Sequence, residues 1–190
     1  MSLTLATYIT IIRILCAPLF VFLLFSGSLG WAIVVFGLAS LTDTFDGLVA
    51  RKLGQTSSFG TVLDPVADKV LLTTAFIALS MPFLHLASPI PVWLTLTAIA
   101  RDVLIAIGAW IIRTIKGFKS FPPSLWGKVS TTFQMITVCV ALLANYQGQR
   151  WVIFNPLVYA TLLLTIVSGL DYFRRGLSMM KHSSLKPANI

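Results

Sequence analysis

Glutamate is absent from this 190-residue chain, and six aspartates supply all of its negative charge. Charged residues of both signs make up 11% of the sequence, whereas hydrophobic residues make up 57% and the mean hydropathy is +0.90. These values exclude an ordinary soluble globular domain, in which roughly 25% of residues are charged. The two cysteines, Cys16 and Cys139, lie far apart in separate apolar segments, so we expect packing residues rather than a disulfide.

Apolar segments of about 20 residues are long enough to cross a bilayer as helices. The sequence contains six of them, at Tyr8–Phe25, Trp31–Val49, Pro65–Phe83, Pro91–Ile112, Leu125–Ala144 and Val152–Phe173. Because backbone polar groups in lipid must be satisfied internally, these segments predict an all-α integral membrane protein with six transmembrane helices. We expect one membrane domain over residues 1–175 and a basic cytoplasmic tail over residues 176–190.

The basic residues are distributed unevenly over the links between these segments. Nine of them lie in the links and tail on one side, whereas the opposite side carries only Arg150. By the positive-inside rule, this asymmetry predicts that both termini are cytoplasmic. The net charge of +8 is then explained by topology and by contact with anionic lipid headgroups, so nucleic acid is not an expected partner.

Four of the six aspartates fall in one 26-residue stretch with the pattern D-x2-D-G-x2-A-R-x8-G-x3-D-x3-D. Its defined positions are Asp43, Asp46, Gly47, Ala50, Arg51, Gly60, Asp64 and Asp68. Carboxylates next to hydrocarbon are costly, so an intramembrane cluster of them predicts a functional site. Residues three or four apart share a helix face, so two neighbouring helices can bring both pairs together near the cytoplasmic surface.

Four carboxylates without His or Cys are a ligand set for hard divalent ions, so the stretch predicts two Mg²⁺ or Mn²⁺ ions about 3.5–4 Å apart. Such a pair can clamp phosphoryl oxygens, and Arg51 supplies a planar fork suited to phosphate. Asp64-Pro65 predicts a helix N-cap followed by proline at the first helical position.

Two other interpretations of the aspartates remain open at this point. They can pair with Lys69, Arg51 and Arg101 and so hold helices together. They can also line the ion path of a small cation transporter, although such a path needs acidic groups spread through the membrane depth.

The aspartate stretch resembles the signature of the CDP-alcohol phosphotransferase family and matches it at every defined position. The resemblance implies a homodimeric six-helix membrane enzyme that transfers a phosphatidyl or related group from a CDP-linked donor to an alcohol and releases CMP. It implies that Asp43, Asp46 and Asp64 hold the metals, while Asp68 also faces them and takes the acceptor's proton. The same resemblance assigns the CDP group to Thr44, Gly47, Ala50, Arg51 and Gly60.

Three further elements are similar to the phosphatidylglycerol-phosphate synthase and cardiolipin synthase branches of that family. They are Thr10 with Arg13, the pair Arg101-Asp102, and the run from Gly127 to Gln134. The resemblance makes Thr10, Arg13, Arg101, Lys128, Thr131 and Gln134 candidates for binding the acceptor. Two structural alternatives stay open: Arg101-Asp102 as a buried ion pair that fixes helix packing, and Lys128 as an interfacial lysine whose amine reaches water.

Three features of the sequence bear on the identity of the acceptor. Gly127 favours glycerol 3-phosphate, whereas Ser130, where the first branch has a second lysine, and the Arg-Asp form of the pair lean toward phosphatidylglycerol and hence cardiolipin synthesis. We expect CDP-diacylglycerol as the donor and glycerol 3-phosphate as the acceptor. A compact chain without transit-peptide composition also leads us to expect a bacterial cytoplasmic membrane, with the active site facing the cytoplasm.

Overall fold

The computed structural model describes residues 5–53, 60–116 and 124–183, with side chains described at 11–42, 69–108, 111, 114 and 124–176. Within these ranges the long elements are all α-helices, as the apolar segments predict. They are α1 (Leu5–Phe25), α2 (Leu29–Leu53), α3 (Gly60–Leu79), α4 (Val92–Lys116), α5 (Leu125–Tyr146) and α6 (Phe154–Ser183), with one 3₁₀ turn at Pro82–Leu84.

The helices form two compact units. Unit 1 comprises Met1–Val92 and Val138–Phe154, and unit 2 comprises Trp93–Thr137 and Asn155–Ile190. In unit 1, α1 packs against both α2 and α3. The rings of Phe20 and Phe36 meet there with centroids 5.7 Å apart, and both residues are fully buried. In unit 2, the interior contacts join α4 and the first part of α5 to α6.

Two glycines end helices in the same way. Gly27 after α1 and Gly148 after α5 have φ of 73° and 64°, a left-handed conformation that glycine adopts without a Cβ penalty. After α1, the amide of Ser28 donates to Leu23 O at 2.9 Å, and the amide of Gly27 donates to Leu24 O at 3.1 Å. The same pair of bonds follows α5, so both helices finish in a Schellman motif that satisfies their last carbonyls.

Several helix ends differ from the sequence prediction. α2, α4 and α6 run on to Leu53, Lys116 and Ser183, past the predicted Val49, Ile112 and Phe173. The expected tail over 176–190 therefore starts inside α6. Hydropathy detects only the apolar part of a helix, whereas the backbone hydrogen bonds continue into the polar headgroup region. At its C-terminus, α3 ends at Leu79 rather than at the predicted Phe83. Met81 precedes Pro82, and a residue before proline disfavours the helical conformation.

The N-cap predicted at Asp64 is wrong. α3 begins at Gly60, so Asp64 and Pro65 both lie within the helix, in its second turn. Inside a helix, proline keeps a helical φ near −65° but removes one backbone donor and crowds the carbonyl four residues before it, which often kinks a helix without ending it. A helix can therefore continue through Pro65 as it does through Pro18 in α1.

Two helical stretches are long and apolar enough to cross a membrane when the described residues alone are considered, Leu125–Tyr146 and Phe154–Gly176. Shorter apolar stretches lie in the first three helices, at Ile11–Phe25, Leu29–Thr42 and Lys69–Leu79. Large apolar side chains such as Phe22, Leu104 and Leu163 are more than 60% exposed. An apolar surface of this kind fits lipid better than water.

Candidate active site

The aspartate stretch occupies two successive helices of unit 1. Asp43 and Asp46 lie on the helical backbone of α2, and Asp64 and Asp68 lie on that of α3. Because the spacings are three and four residues within continuous helix, each pair falls on one side of its helix. Asp43 is almost three turns from the end of α2 at Leu53, deeper within the helix than the predicted end at Val49 implies.

The side chains of all predicted metal and donor ligands lie outside the described residues. They belong to Asp43, Thr44, Asp46, Ala50, Arg51, Asp64 and Asp68, together with the glycine positions Gly47 and Gly60. Among the side chains that the structure does describe, no group of three His, Cys, Asp or Glu residues forms a metal site. The metal site therefore remains a prediction from the pattern and its helical register.

The first-helix candidates are only partly described. The side chain of Thr10 lies outside the described set, whereas Arg13 is buried in unit 1 with 3% of its surface exposed. Arg13 lies on α1, which packs against both helices that carry the aspartates. Its burial places a cation in the interior of unit 1.

The guanidinium of Arg101 on α4 is the best-defined candidate group of unit 2. Nη1 donates to Asp102 Oδ1 at 2.7 Å, while Nε and Nη2 donate to Ser168 Oγ at 3.2 and 2.5 Å. The ring of Tyr172 lies against it, with the centroid 5.7 Å from Cζ. Arg101 is 6% exposed, so these contacts pair a charge that would be costly to bury alone.

The start of α5 is held next to this arginine. Ser124 precedes the helix and its Oγ accepts the amide of Gly127 at 2.9 Å, which is an N-cap hydrogen bond. The amide of Ser124 itself donates to the hydroxyl of Tyr172 at 3.3 Å. Lys128, in the first turn of α5, is exposed. The hydroxyl of Thr131 donates to the carbonyl of Gly127 at 3.0 Å.

Deeper in unit 2, hydroxyl and amide groups join α5 to α6 in a polar seam made of Ser130, Gln134, Thr137, Thr161 and Thr165. Gln134 Nε2 donates to Thr165 Oγ1 at 3.2 Å, and Ser130 Oγ lies 3.3 Å from the same oxygen. Thr137 and Thr161 share a hydrogen bond of 2.7 Å. Every member is at most 1% exposed.

The structure thus separates the predicted acceptor residues by environment. Lys128 is open to the surroundings, Arg101 is buried but in contact with the first turn of α5, and Gln134 is enclosed between two helices. The hydrogen bonds from Arg101 to Ser168 join α4 to α6 and so support the helix-packing alternative, whereas Asp102 lies beside Arg101 on α4; the role of Arg101 as a ligand stays a prediction. Ser130 is fully buried against Thr165, so its comparison with lysine carries little weight for acceptor charge.

Sequence reasoning missed the α6 residues Thr161, Thr165, Ser168 and Tyr172. Their spacings of four, three and four residues place them along one face of a helix. A polar stripe at helical spacing inside an apolar segment is the signal that would have found them, because such stripes mark helix–helix contacts in membranes.

Comparison with known proteins gives a consistent result over most of the chain. The profile of the CDP-alcohol phosphatidyltransferase family matches residues 3–167. A relative named "Probable phosphatidylglycerophosphate synthase", from Mycobacterium tuberculosis (strain ATCC 25618 / H37Rv), is 33% identical over 181 residues, which cover 91% of this chain and 81% of that protein. A second, from Escherichia coli (strain K12), is named "CDP-diacylglycerol--glycerol-3-phosphate 3-phosphatidyltransferase"; it is 35% identical over 183 residues, covering 90% and 94%.

A third relative carries the same name as the second and comes from Wigglesworthia glossinidia brevipalpis. It is 33% identical over 177 residues, which cover 91% of this chain and 94% of that protein. The similarity therefore extends over about nine tenths of this chain, and the residues that match the family profile include the aspartate stretch and Arg101.

Proposed function

Because the chain belongs to the CDP-alcohol phosphatidyltransferase family, and is therefore a membrane-associated phosphatidyltransferase, we propose that it transfers the phosphatidyl group of CDP-diacylglycerol to glycerol 3-phosphate. The other product is CMP. The observation that carries the proposal is the aspartate pattern. Its two pairs lie on two successive helices, at spacings that put each pair on one side of its helix, and the pattern falls inside the range that matches the family. The names of the relatives aligned along nearly the whole chain support glycerol 3-phosphate as the acceptor.

In the proposed reaction the hydroxyl oxygen of the acceptor attacks the phosphorus of the phosphatidyl group. A new P–O bond forms, the P–O bond to CMP breaks, and CMP departs with the electron pair. Asp68 takes the proton of the attacking hydroxyl as general base. A carboxylate with the ordinary pKa of about 4 is a weak base. The acceptor hydroxyl that Asp68 deprotonates therefore needs a pKa that its surroundings at the site lower.

The donor set fits divalent metal ions. Asp43, Asp46, Asp64 and Asp68 offer only carboxylate oxygens, the ligand type that Mg²⁺ and Mn²⁺ prefer. Four carboxylates close together without cations would repel one another strongly. Two such ions, when bound, neutralise the diphosphate and the departing CMP. Thr44, Gly47, Ala50, Arg51 and Gly60 are proposed to form the surroundings of the cytidine and diphosphate, with Arg51 holding phosphate oxygens.

The acceptor residues are proposed to be Thr10, Arg13, Arg101, Lys128, Thr131 and Gln134. In unit 2, Lys128 and Arg101 are the cationic candidates, and the first is exposed while the second is fixed by neighbours. Glycerol 3-phosphate carries nearly two negative charges, so a pair of cations on adjoining helices suits its phosphate. One sequence argument favoured phosphatidylglycerol because Ser130 stands where the phosphatidylglycerol-phosphate synthase branch has a second lysine. The burial of Ser130 weakens that argument.

The remaining elements of the proposal concern the assembly. We propose six membrane crossings, cytoplasmic termini, an active site facing the cytoplasm of a bacterial cell, one membrane domain over 1–175 and a homodimer. The one-sided distribution of basic residues supports this topology. A reporter that is active only in the cytoplasm, fused to the C-terminus and in parallel inserted between 147 and 150, checks the orientation.

The experiment that tests the activity is CMP release by the purified protein in detergent or vesicles. The donor is CDP-diacylglycerol, with Mg²⁺ or Mn²⁺ added back after chelation. Glycerol 3-phosphate, phosphatidylglycerol, inositol phosphate and serine are supplied in separate reactions, and the lipid products are identified. We expect metal-dependent turnover with glycerol 3-phosphate and a phosphatidylglycerol phosphate product.

Other outcomes of this assay point to named alternatives. Turnover with phosphatidylglycerol alone identifies a cardiolipin synthase. If no acceptor gives CMP release and the protein conducts cations across vesicle membranes, the cation-transporter interpretation of the aspartates is favoured. CMP release that is unaffected by chelation contradicts the proposed metal site.

A further inference from the structure

Two residues of α6 hold the guanidinium of Arg101 from different sides. Ser168, 67 positions away in the sequence, accepts from Nε and Nη2 on a single hydroxyl oxygen. Tyr172, one turn further along α6, lays its ring against the guanidinium at 5.7 Å. Ser168 is fully buried, so its hydroxyl interacts with the arginine in an environment that strengthens hydrogen bonds.

Tyr172 also reaches the beginning of α5. Its hydroxyl accepts the amide of Ser124, which is the N-cap of that helix. One side chain therefore contacts both the arginine of α4 and the residue that starts α5. The first turn of α5 carries Lys128, the other cation proposed to face the acceptor.

Gly127 marks the point at which the three helices converge. A Cβ added there would lie 3.1 Å from Tyr172 Cε2, 3.2 Å from Arg101 Nη2 and 3.2 Å from the Tyr172 hydroxyl. These separations are shorter than ordinary van der Waals contacts, so a methyl group would displace the arginine or the tyrosine. Glycine at position 127 therefore leaves the space that the guanidinium of Arg101 and the ring of Tyr172 occupy.

The arrangement fixes the plane of the guanidinium. Arginine carries five N–H donors in a rigid fork, and Ser168 and Asp102 accept from three of them. Each terminal nitrogen keeps one further N–H. A fork whose plane is already set loses little freedom when it binds an anion, which is the usual benefit of supporting contacts around a binding group.

We propose that Ser168 and Tyr172 are positioning residues that hold Arg101 and the first turn of α5 in the orientation that binds the phosphate of the acceptor. The inference rests on the proposed function, because the anion is the phosphate of glycerol 3-phosphate. Neither residue touches the acceptor itself. Ser168 acts through the arginine, and Tyr172 acts through both the arginine and the N-cap of α5.

The test compares Ser168→Ala, Ser168→Thr and Tyr172→Phe in the full-length purified protein. KM is measured separately for glycerol 3-phosphate and for CDP-diacylglycerol, together with kcat and the thermal unfolding midpoint. Ser168→Ala removes the oxygen that accepts from Nε and Nη2, so it should raise the acceptor KM at least about tenfold, the size of one hydrogen bond to a charged group, with the donor KM unchanged. Ser168→Thr keeps a hydroxyl and should restore most of the affinity.

Tyr172→Phe keeps the ring and removes the hydroxyl that accepts from Ser124. We expect it to raise the acceptor KM about threefold, because the hydrogen bond from Ser124 is a neutral one. The matched control is Thr161→Val, a fully buried hydroxyl of α6 that bonds to Thr137. It lies about 10 Å along the helix from Ser168 and should lower the unfolding midpoint without moving the acceptor KM.

Each outcome decides between named possibilities. An unchanged acceptor KM in Ser168→Ala overturns the inference, and so does an equal rise in Thr161→Val or a parallel rise in the donor KM. If the wild type releases no CMP with glycerol 3-phosphate, the proposed function fails and this inference falls with it. A wild type that turns over while Ser168→Ala keeps its acceptor KM removes only the positioning role.

Discussion

The two compact units have interiors of different chemical character, judged by the side chains that the structure describes. The buried residues of unit 1 are mostly apolar, and many are alanines on α1, α2 and α3, namely Ala17, Ala32, Ala39, Ala75 and Ala78. In unit 2 the buried side chains are mostly polar and include Arg101, Ser130, Gln134, Thr137, Thr161, Thr165 and Ser168.

This difference matters because hydrophobic burial does not drive helices together inside lipid. Small residues allow close backbone approach and dispersion contacts, and buried polar groups add hydrogen bonds between helices. Unit 1 follows the first route around the helices that carry the aspartates. Unit 2 follows the second route, which orients specific donors and acceptors. Of the residues proposed for the reaction, the four aspartates, Thr10 and Arg13 lie in unit 1, whereas Arg101, Lys128, Thr131 and Gln134 lie in unit 2.

The largest expected effect belongs to unit 1. Asp68→Asn removes the proposed general base with little change in shape, so we expect kcat to fall by about 10²–10⁴-fold. Binding of CDP-diacylglycerol should be mostly retained, as measured by equilibrium binding of the donor. The control is Asp171→Asn in unit 2, which removes the partner of Arg175 at 3.0 Å near the end of α6. Turnover of Asp68→Asn close to that of the control would exclude Asp68 as the base.

A second effect of unit 1 concerns metal. Asp46→Asn removes one carboxylate from the proposed ligand set, so the Mg²⁺ concentration for half-maximal CMP release should rise at least about tenfold. Titration with Mg²⁺ and Mn²⁺ after chelation measures this shift, again beside Asp171→Asn. An unchanged metal requirement would show that Asp46 is not a ligand and would break the assignment of the chemistry to unit 1.

The aspartate stretch can be recognised in the sequence because its residues are close together along the chain. Four carboxylates and their glycines fall within one stretch of 26 residues, and apolar flanks make each charge conspicuous. Helix existence was equally predictable, since only helices satisfy their backbone in lipid within a single segment. The ends of α2, α4 and α6 were not, because their last turns are polar and hydropathy does not detect them.

The partners of Arg101 were not predictable for a different reason. Ser168 and Tyr172 are more than 60 residues from the arginine, so the polar stripe that marks one face of α6 does not reveal which side chain it contacts. The role of Gly127 depends on the side chains of two other helices, so its spacing alone could not reveal the constraint. Local motifs can be predicted from the chain, whereas contacts between distant helices need the structure.

The third prediction compares packing by small residues with packing by hydrogen bonds. Ala75 on α3 is fully buried in unit 1, so Ala75→Leu overfills a close contact and should destabilise the protein by about 1–3 kcal/mol. Thermal unfolding in detergent micelles measures the change. Ala106→Leu on α4 is the control, because this alanine is exposed and a larger side chain there meets lipid or detergent. Equal destabilisation by the two variants would contradict tight packing in unit 1.

The smallest expected effect lies in the polar seam. Thr165 Oγ1 is shared by Gln134 and Ser130 and donates to the carbonyl of Thr161 at 2.7 Å. Thr165→Val keeps the shape and leaves the amide of Gln134 without this acceptor. The cost should be about 0.6 kcal/mol and at most about 1.7, the range for hydrogen bonds between membrane helices, because the unfolded helices in the membrane also find partners.

A double-mutant cycle with Gln134→Leu and Thr165→Val isolates this interaction and tests whether Gln134 serves packing or the acceptor. If Gln134 serves packing, the two changes couple by about 0.5 kcal/mol or more in unfolding free energy, and the acceptor KM moves little in either variant. If Gln134 binds the acceptor, its replacement raises that KM while Thr165→Val does not. If Thr165→Val lowers the free energy of unfolding more than Ala75→Leu does, the expected order of the two effects is reversed. Hydrogen bonds in unit 2 would then contribute more to stability than close packing in unit 1.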